Sequence, residues 1–270
     1  DPHADKKSNA IEKRKVLLVE DNHELLNVLS NLFSSTYEVV MAHNGKEGLD
    51  KAHEEFPDII VSDIMMPEMT GIELCETIKS DFNLCHIPIV LLTALASTQQ
   101  NIEGLTKGAD DYITKPFNTS ILLVRCNNLV HNRLMLQKKF QQQGYTDTEV
   151  IANNPIDQHF LDALNSVIEN HIDDTEFNID HLACALGLSR SSLYAKFKSL
   201  TGITPNDYIL SKKIKRAAHL LQSTQLQITE ISDMLGFGSS RYFTRCFKKS
   251  FGIAPSEYRK KENSAEKLSE

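Results

Sequence analysis

Four short apolar runs in this chain each end in a group that can do chemistry. Lys15-Val-Leu-Leu-Val-Glu20-Asp21 ends in two acids, Asp58-Ile-Ile-Val-Ser-Asp63 in one, and Ile87-Pro-Ile-Val-Leu-Leu-Thr93 in a hydroxyl. Tyr112-Ile-Thr114 is followed at once by Lys115-Pro116. From Asp21 the steps are 42 residues to Asp63, 30 to Thr93 and 22 to Lys115. A single aspartate at a strand end is well explained as a helix cap, but the series is not. If the runs are parallel strands of one sheet, their carboxyl ends meet at the edge where open α/β sheets bind ligands. Acids, a hydroxyl and an ammonium sharing one pocket suit a divalent cation beside a phosphoryl group. Mg²⁺ favours one or two carboxylates with water and phosphate oxygens. Asp21 and Asp63 can supply the carboxylates, the Met65 backbone carbonyl a further oxygen, and Glu20 can act through water. Asp63 would then be the nucleophile that captures phosphorus as an acyl phosphate. Lys115 and Thr93 would hold the phosphoryl oxygens, since this transfer is mostly positioning and charge neutralisation.

The elements needed to position these groups are legible in the first half. Strand-like runs fall at 15–20, 37–42, 58–62, 87–92 and 112–114. Helix-period stretches fall between them at 23–34, 45–55, 71–80 and 98–107, with a last one from Asn118 to about Phe140. That alternation predicts a parallel sheet covered on both faces. Asn44 and Asn118 are placed to cap helices. Pro67 and Gly71 make Ile64–Gly71 a loop over the acidic pocket.

The 270 residues allow two domains. No apolar run reaches the ~20 residues that span a bilayer, and the first fifteen residues have no signal-like apolar core. The expectation is a cytoplasmic protein with no direct membrane contact. Five cysteines, none in C-x-x-C spacing, read as reduced core thiols. Residues 14–131 carry 8 basic and 17 acidic side chains; residues 176–262 carry 14 and 7. A basic half joined to an acidic one suggests that only the second meets nucleic acid.

The second half repeats itself. Leu186-Gly187 recurs 49 residues later at Leu235-Gly236, and Phe197, Gly202, Pro205 and Tyr208 recur 50 later at Phe247, Gly252, Pro255 and Tyr258. Each copy reads as an apolar helix, a glycine turn, a serine cap and an amphipathic helix, a helix-turn-helix. Leu193 and Phe197, and Phe243 and Phe247, must face inward. The outward stripes are then Ser191, Tyr194, Ala195 and Lys198 in the first copy, and Arg241, Thr244, Arg245 and Lys248 with the nearby Ser240 in the second. In a major groove, arginine can bond guanine bidentately, so the second stripe is better equipped for hydrogen-bonded readout of duplex DNA. Arg190 and Lys196 are expected at phosphates. The helix between the copies, from Pro205 to Leu221, would span ~26 Å and can hold two readers near one DNA turn, ~34 Å, apart. Its Lys212, Lys213, Lys215 and Arg216 are candidates for backbone contact.

Two resemblances follow. Val16–Asn22, Ser62-Asp-Ile-Met-Met-Pro-Glu-Met-Thr-Gly71, Leu91–Ala94 and Gly108–Phe117 resemble the receiver domain of two-component response regulators. The resemblance implies a flavodoxin-like five-stranded fold and Mg²⁺ near Glu20, Asp21 and Asp63. It also implies phosphorylation of Asp63 by a histidine kinase, a cis Lys115–Pro116 peptide, and Thr93 and Tyr112 as a switch pair. Met65 and Leu95 match positions that flank the hydrolytic water's path in that family; both are apolar, which predicts slow autodephosphorylation. From about Phe160 to Lys261 the chain is similar to the all-α AraC/XylS-type DNA-binding domain, most specifically in Phe247-Lys-Lys-Ser-Phe-Gly-Ile-Ala-Pro-Ser-Glu-Tyr258. The order of the two resembles the end of hybrid two-component sensors of Bacteroidetes, with the kinase in the same polypeptide, and fits equally an ordinary response regulator served by a separate histidine kinase. The expected layout is a disordered segment 1–13, receiver 14–136, linker 137–155, DNA-binding domain 156–262 with its two units at about 179–200 and 228–250, and a disordered tail 263–270. The expected function is a transcription regulator that forms a homodimer when phosphorylated. A Mg²⁺-dependent phosphatase acting through an Asp63 phosphoenzyme is the competing reading, weakened because Met65 stands where a second carboxylate would be needed.

Overall fold

The computed structural model describes residues 13–94, 108–142, 151–152 and 154–266. The expected helix at 98–107, Leu95 and most of the two terminal segments lie outside them. The chain divides into two compact units, Asp1–Arg133 and Leu134–Glu270.

In the first unit five strands form one parallel sheet: β1 (Arg14–Val19), β2 (Tyr37–Ala42), β3 (Ile59–Asp63), β4 (Ile89–Thr93) and β5 (Asp111–Thr114), in the order β2-β1-β3-β4-β5. Strands β1, β3 and β4 bury nearly every residue because both faces of the sheet are covered. On one face Val16, Leu18, Ile59, Val61, Val90 and Leu92 pack against α1 (His23–Ser34) and the first turns of α4 (Thr119–Gln142) through Leu26, Leu29, Phe33, Leu122, Cys126 and Val130. On the other, Leu17, Val19, Ile60, Ile89 and Leu91 meet α2 (Gly45–Glu55) and α3 (Gly71–Ser80) through Ala52, Leu74, Cys75 and Ile78. The period-two switch between faces is what a doubly covered strand requires. Asn22 and Asn44 cap α1 and α2, Asn118 accepts from Ser120 and Ile121 at the start of α4, and Thr70 with Glu73 closes a capping box on α3.

The second unit is helical: α5 (Pro155–His171), α6 (Ile179–Ala185), α7 (Arg190–Thr201), α8 (Pro205–Ser223), α9 (Ile228–Met234), α10 (Ser240–Phe251) and α11 (Pro255–Glu266). The two expected helix-turn-helix units are α6–α7 and α9–α10, with left-handed turns at Gly187 and Gly236 and serine caps at Ser189 and Ser239. Around α8, Ile214, Ala217 and Leu221 join Ile231, Leu235, Phe243 and Phe247 in one core.

Three expectations need correcting. The last helix of the first half, expected to end at about Phe140, runs to Gln142, so the start of the span 137–155 is helical, and the two compact units part at Arg133/Leu134. Glutamine is a good helix former, and wholly buried Phe140 anchors that end. Lys196, expected at a phosphate, is only 1% exposed and ion-paired with Asp157, itself fully buried and bonded by Asn154 Nδ2 at 2.7 Å. Cys184 is exposed and Cys246 half-buried, so only Cys75, Cys85 and Cys126 are core thiols.

Breaking a buried ion pair strands a charge, whereas replacing both partners does not. Lys196→Met is therefore expected to cost about 3–5 kcal/mol, and Lys196→Met with Asp157→Leu much less. Denaturant unfolding of the three proteins checks this.

Candidate functional site

The chain runs from β1 to β2 on one side of the sheet, and β3 pairs on β1's other side. The order therefore reverses between β1 and β3, and the crevice at that switch point lies outside their carboxyl ends. Glu20 and Asp21 follow β1 directly, and Asp63 is the last residue of β3. One carboxylate oxygen from each lies within 4.8 Å of the other two. Lys115, directly after β5, places its Nζ 2.9 Å from Glu20 Oε2 and 3.0 Å from Asp63 Oδ1. Its backbone N–H donates to Thr93 O at 2.6 Å, which fixes the lysine to the end of β4, and the Lys115–Pro116 peptide is cis.

Burial graded along this row tunes it electrically. Glu20 is 2% exposed, Asp63 8%, and Asp21 is exposed. Burial pushes the Glu20 carboxyl above its usual pKa; the Lys115 hydrogen bond opposes that shift and the Asp63 charge adds to it. Burial works against the charge on Lys115, but the hydrogen bonds and charges of Glu20 and Asp63 outweigh it, so its pKa is raised. The ammonium is held firmly protonated between two carboxylates.

The loop after Asp63 is set by close backbone packing. A Cβ on Gly71 would fall 2.0 Å from Asp63 O, so only glycine lets α3 start here, with Gly71 N–H donating to Ile64 O at 2.9 Å. Ser62 Oγ donates to Asp63 O at 2.8 Å. Both contacts immobilise the backbone carrying Asp63, and neither was singled out in the sequence, although Gly71 was visible there as a turn residue. The Met65 side chain is 69% exposed. Thr93 is 3% exposed at the end of β4. One strand over, the Tyr112 hydroxyl is buried with no hydrogen-bond partner among the described residues, and burial pushes its pKa up to about 12. Glu20, Asp21, Asp63 and Lys115 are thus brought together, with Thr93 and Tyr112 on the two strands that carry the lysine.

In the second unit Leu193, Phe197, Phe243 and Phe247 are all fully buried, so the two stripes lie on the open side. Ser191 and Lys198 are exposed, Tyr194 and Ala195 half-buried. Arg190 lies 3.2 Å from both oxygens of Asp180 and over the Tyr194 ring at 5.8 Å, and Asn206 Nδ2 donates to the Tyr194 hydroxyl at 2.6 Å. The first stripe is therefore partly engaged within the protein. On α10, Arg241, Arg245 and Lys248 are exposed, Ser240 and Thr244 half-buried, and Thr244 Oγ1 donates back to Ser240 O. Arg245 stacks over Tyr242 at 5.3 Å, an exposed ring the stripe did not include. On α8, Lys212 pairs with Glu169 and Arg216 with Asp173, while Lys213 is 8% exposed with its pKa lowered, chiefly by burial. Lys213 is thus withdrawn from the backbone contact expected of it.

No helix among the described residues is long and apolar enough to cross a membrane. Residues 16–127 match the family model for the response regulator receiver domain, and residues 182–261 that for a helix-turn-helix domain. The chain is 39% identical over 247 residues, 92% of its length, to a protein named histidine kinase P4 from Formosa agariphila, and 40% identical over 149 residues, 54% of its length, to hybrid signal transduction histidine kinase D from Dictyostelium discoideum. It spans 18% and 10% of those proteins. Of solved structures, the receiver domain of Francisella response regulator 1452 is 36% identical, with 44% of this chain and 98% of that one covered and a TM-score of 0.42. The receiver domain of sensor histidine kinase PA1611 from Pseudomonas aeruginosa, with a magnesium ion coordinated in its active site cleft, is 28% identical over 44% and 98%, with a TM-score of 0.42. The chain belongs, from 16 to 127, to the response regulator receivers and, from 182 to 261, to the helix-turn-helix domains of AraC type.

Proposed function

We propose that this chain is a phosphorylation-controlled DNA-binding transcription regulator, with Asp63 as its phosphoacceptor. The observation that carries the reading is the protonated Lys115 held between Glu20 and Asp63 at the switch point. A carboxylate at Asp63 attacks phosphorus; the bond from phosphorus to the donor histidine nitrogen breaks, its electron pair stays on that nitrogen, and an acyl phosphate forms. Lys115 keeps its ammonium against the arriving oxygens, and Thr93 offers its hydroxyl to one of them. Three carboxylates converging within 4.8 Å are a hard all-oxygen donor set that fits Mg²⁺, with Glu20, Asp21, Asp63 and the Met65 carbonyl to hold it. When bound, the ion would offset repulsion between the acids and the incoming phosphoryl group.

The added charge, close to two negative units, shifts the pairing of Thr93 with its surroundings. Buried Tyr112 follows as the second member of the switch. The face that responds includes β5 and α4, where Ile121 and Val124 are 53% and 56% exposed. It pairs two copies, and the two DNA-binding units then gain avidity without new base contacts. Arg241, Arg245 and Lys248 read base edges, with Arg190, Ser191, Tyr194, Ala195, Lys198, Ser240 and Thr244 completing the contact surface. The donor is a histidine kinase; similarity to the Formosa and Dictyostelium kinases favours one in the same polypeptide. The working compartment is the cytoplasm.

In a quantitative footprint at fixed salt, a small phosphodonor with Mg²⁺ is expected to raise the affinity of the wild-type chain for its site about tenfold or more. Asp63→Asn is expected to show no such gain; an equal gain in the variant contradicts the assignment. With apolar Met65 standing beside the acceptor, label on the purified phosphoprotein is expected to persist on the timescale of transcription, and loss within seconds would refute that.

A further inference from the structure

The two helix-turn-helix copies are held differently at the carboxyl end of the second helix. A helix leaves its last four carbonyls without partners inside the helix. At the end of α7, Lys198 O accepts from Gly202 N–H at 2.8 Å. Ser199 O accepts from Gln137 Nε2 at 2.8 Å and Thr201 O from Gln141 Nε2 at 3.1 Å. Gln137 and Gln141 stand one turn apart on α4, with Phe140 between them, and all three belong to the second unit. Gly202 has φ +75°, and a Cβ there would lie 3.0 Å from Gln141 Nε2 and 3.2 Å from Gln137 Oε1. The clasp therefore sits directly on the turn. At the end of α10 the matching Gly252 has φ +78°, and nothing lies within 4 Å of a Cβ there among the described residues.

The aromatic packing tells the same story. In the second copy Tyr258 is covered by Phe251 at 5.1 Å and Phe247 at 5.4 Å, both from α10. In the first, Tyr208 has Phe197 at 5.1 Å, but Thr201 stands where the repeat would place the second phenylalanine. The missing ring comes instead from Phe140, stacked on Tyr208 at 6.1 Å and 23°. Phe140 and Tyr208 are 0% and 1% exposed. A threonine substituted within α7 is thus compensated by a phenylalanine sixty-one positions earlier in the chain.

We infer that Gln137, Phe140 and Gln141, outside both matched domains, are positioning residues for the first DNA-reading helix, fixing the carboxyl end of α7, whereas among the described residues nothing stands in the matching place at Gly252 after α10. The inference rests on the DNA-binding reading above. It predicts that the two readers fail separately.

The test uses the full chain and a duplex selected by the wild type from a random-sequence pool, footprinted at fixed salt. Lys198→Ala and Arg245→Ala assign the segments read by α7 and α10. Gln137→Met with Gln141→Met keeps length and charge but removes both donors; Phe140→Leu is a second variant that keeps an apolar side chain. Each is expected to lose at least tenfold in protection of the α7 segment while the α10 segment stays within twofold. Amide exchange in the last turn of α7 is expected to speed up at least tenfold, with that of α10 unchanged. Equal weakening of both segments, no weakening, or unchanged exchange in α7 would overturn the inference. If the wild type selects no sequence from the pool, the DNA-binding reading itself fails, and the exchange measurement alone decides whether the clasp orders α7.

Discussion

Three acids converge on one crevice because β1 and β3 are neighbours in the sheet, and that convergence is unfavourable unless a cation shares the space. Lys115 is the cation the chain itself provides. Its ammonium bridges Glu20 and Asp63 within 3.0 Å of each. At such distances a charge pair is worth several kcal/mol at a surface-like dielectric, which is the scale of the repulsion it has to offset. Much of the first unit can be understood as the means of delivering this lysine: β5 pairs in register with β4, the Lys115 N–H is bound to Thr93 O, and the short strand ends where the ammonium must begin.

This part of the chain was readable in advance because its signals are local. An apolar run of five residues ending in an acid specifies strand, direction and functional end together. An asparagine before a helix specifies where the helix starts. Strands β2 and β3 and helices α1, α2 and α3 lie within a residue of where periodicity put them. What was not readable depended on partners distant in sequence. Lys196 sits on an amphipathic helix among serines and lysines, and nothing beside it in the chain reveals that Asp157, thirty-nine positions back, closes over it. Lys213 is hidden in the same way, and Cys184 looked apolar by its neighbours yet lies open to solvent.

Around Gln137 the helix itself was expected, to about Phe140, but what its last turns pack against was not legible. Glutamines in a row suggest a connecting segment when composition alone is weighed. Their spacing with Phe140 suggests a helix face only once something is known to lie opposite. The repeat carried a usable signal that was passed over. Where the two copies align, threonine faces phenylalanine at positions 201 and 251, and a volume lost at one end of an otherwise matched motif has to be refilled from somewhere.

Helix α4 has consequences for anyone cutting or recombining this chain. Its early turns complete the sheet's core through Leu122, Cys126 and Val130, and its final turns seal the helical unit through Phe140. A splice before Ile156, the boundary that the polar composition recommends, would strip Phe140 from Tyr208 in the helical module. A module built to accept a foreign input domain must carry its own copy of residues 134–142, so the natural seam for exchange lies inside a helix and not in the segment that follows it.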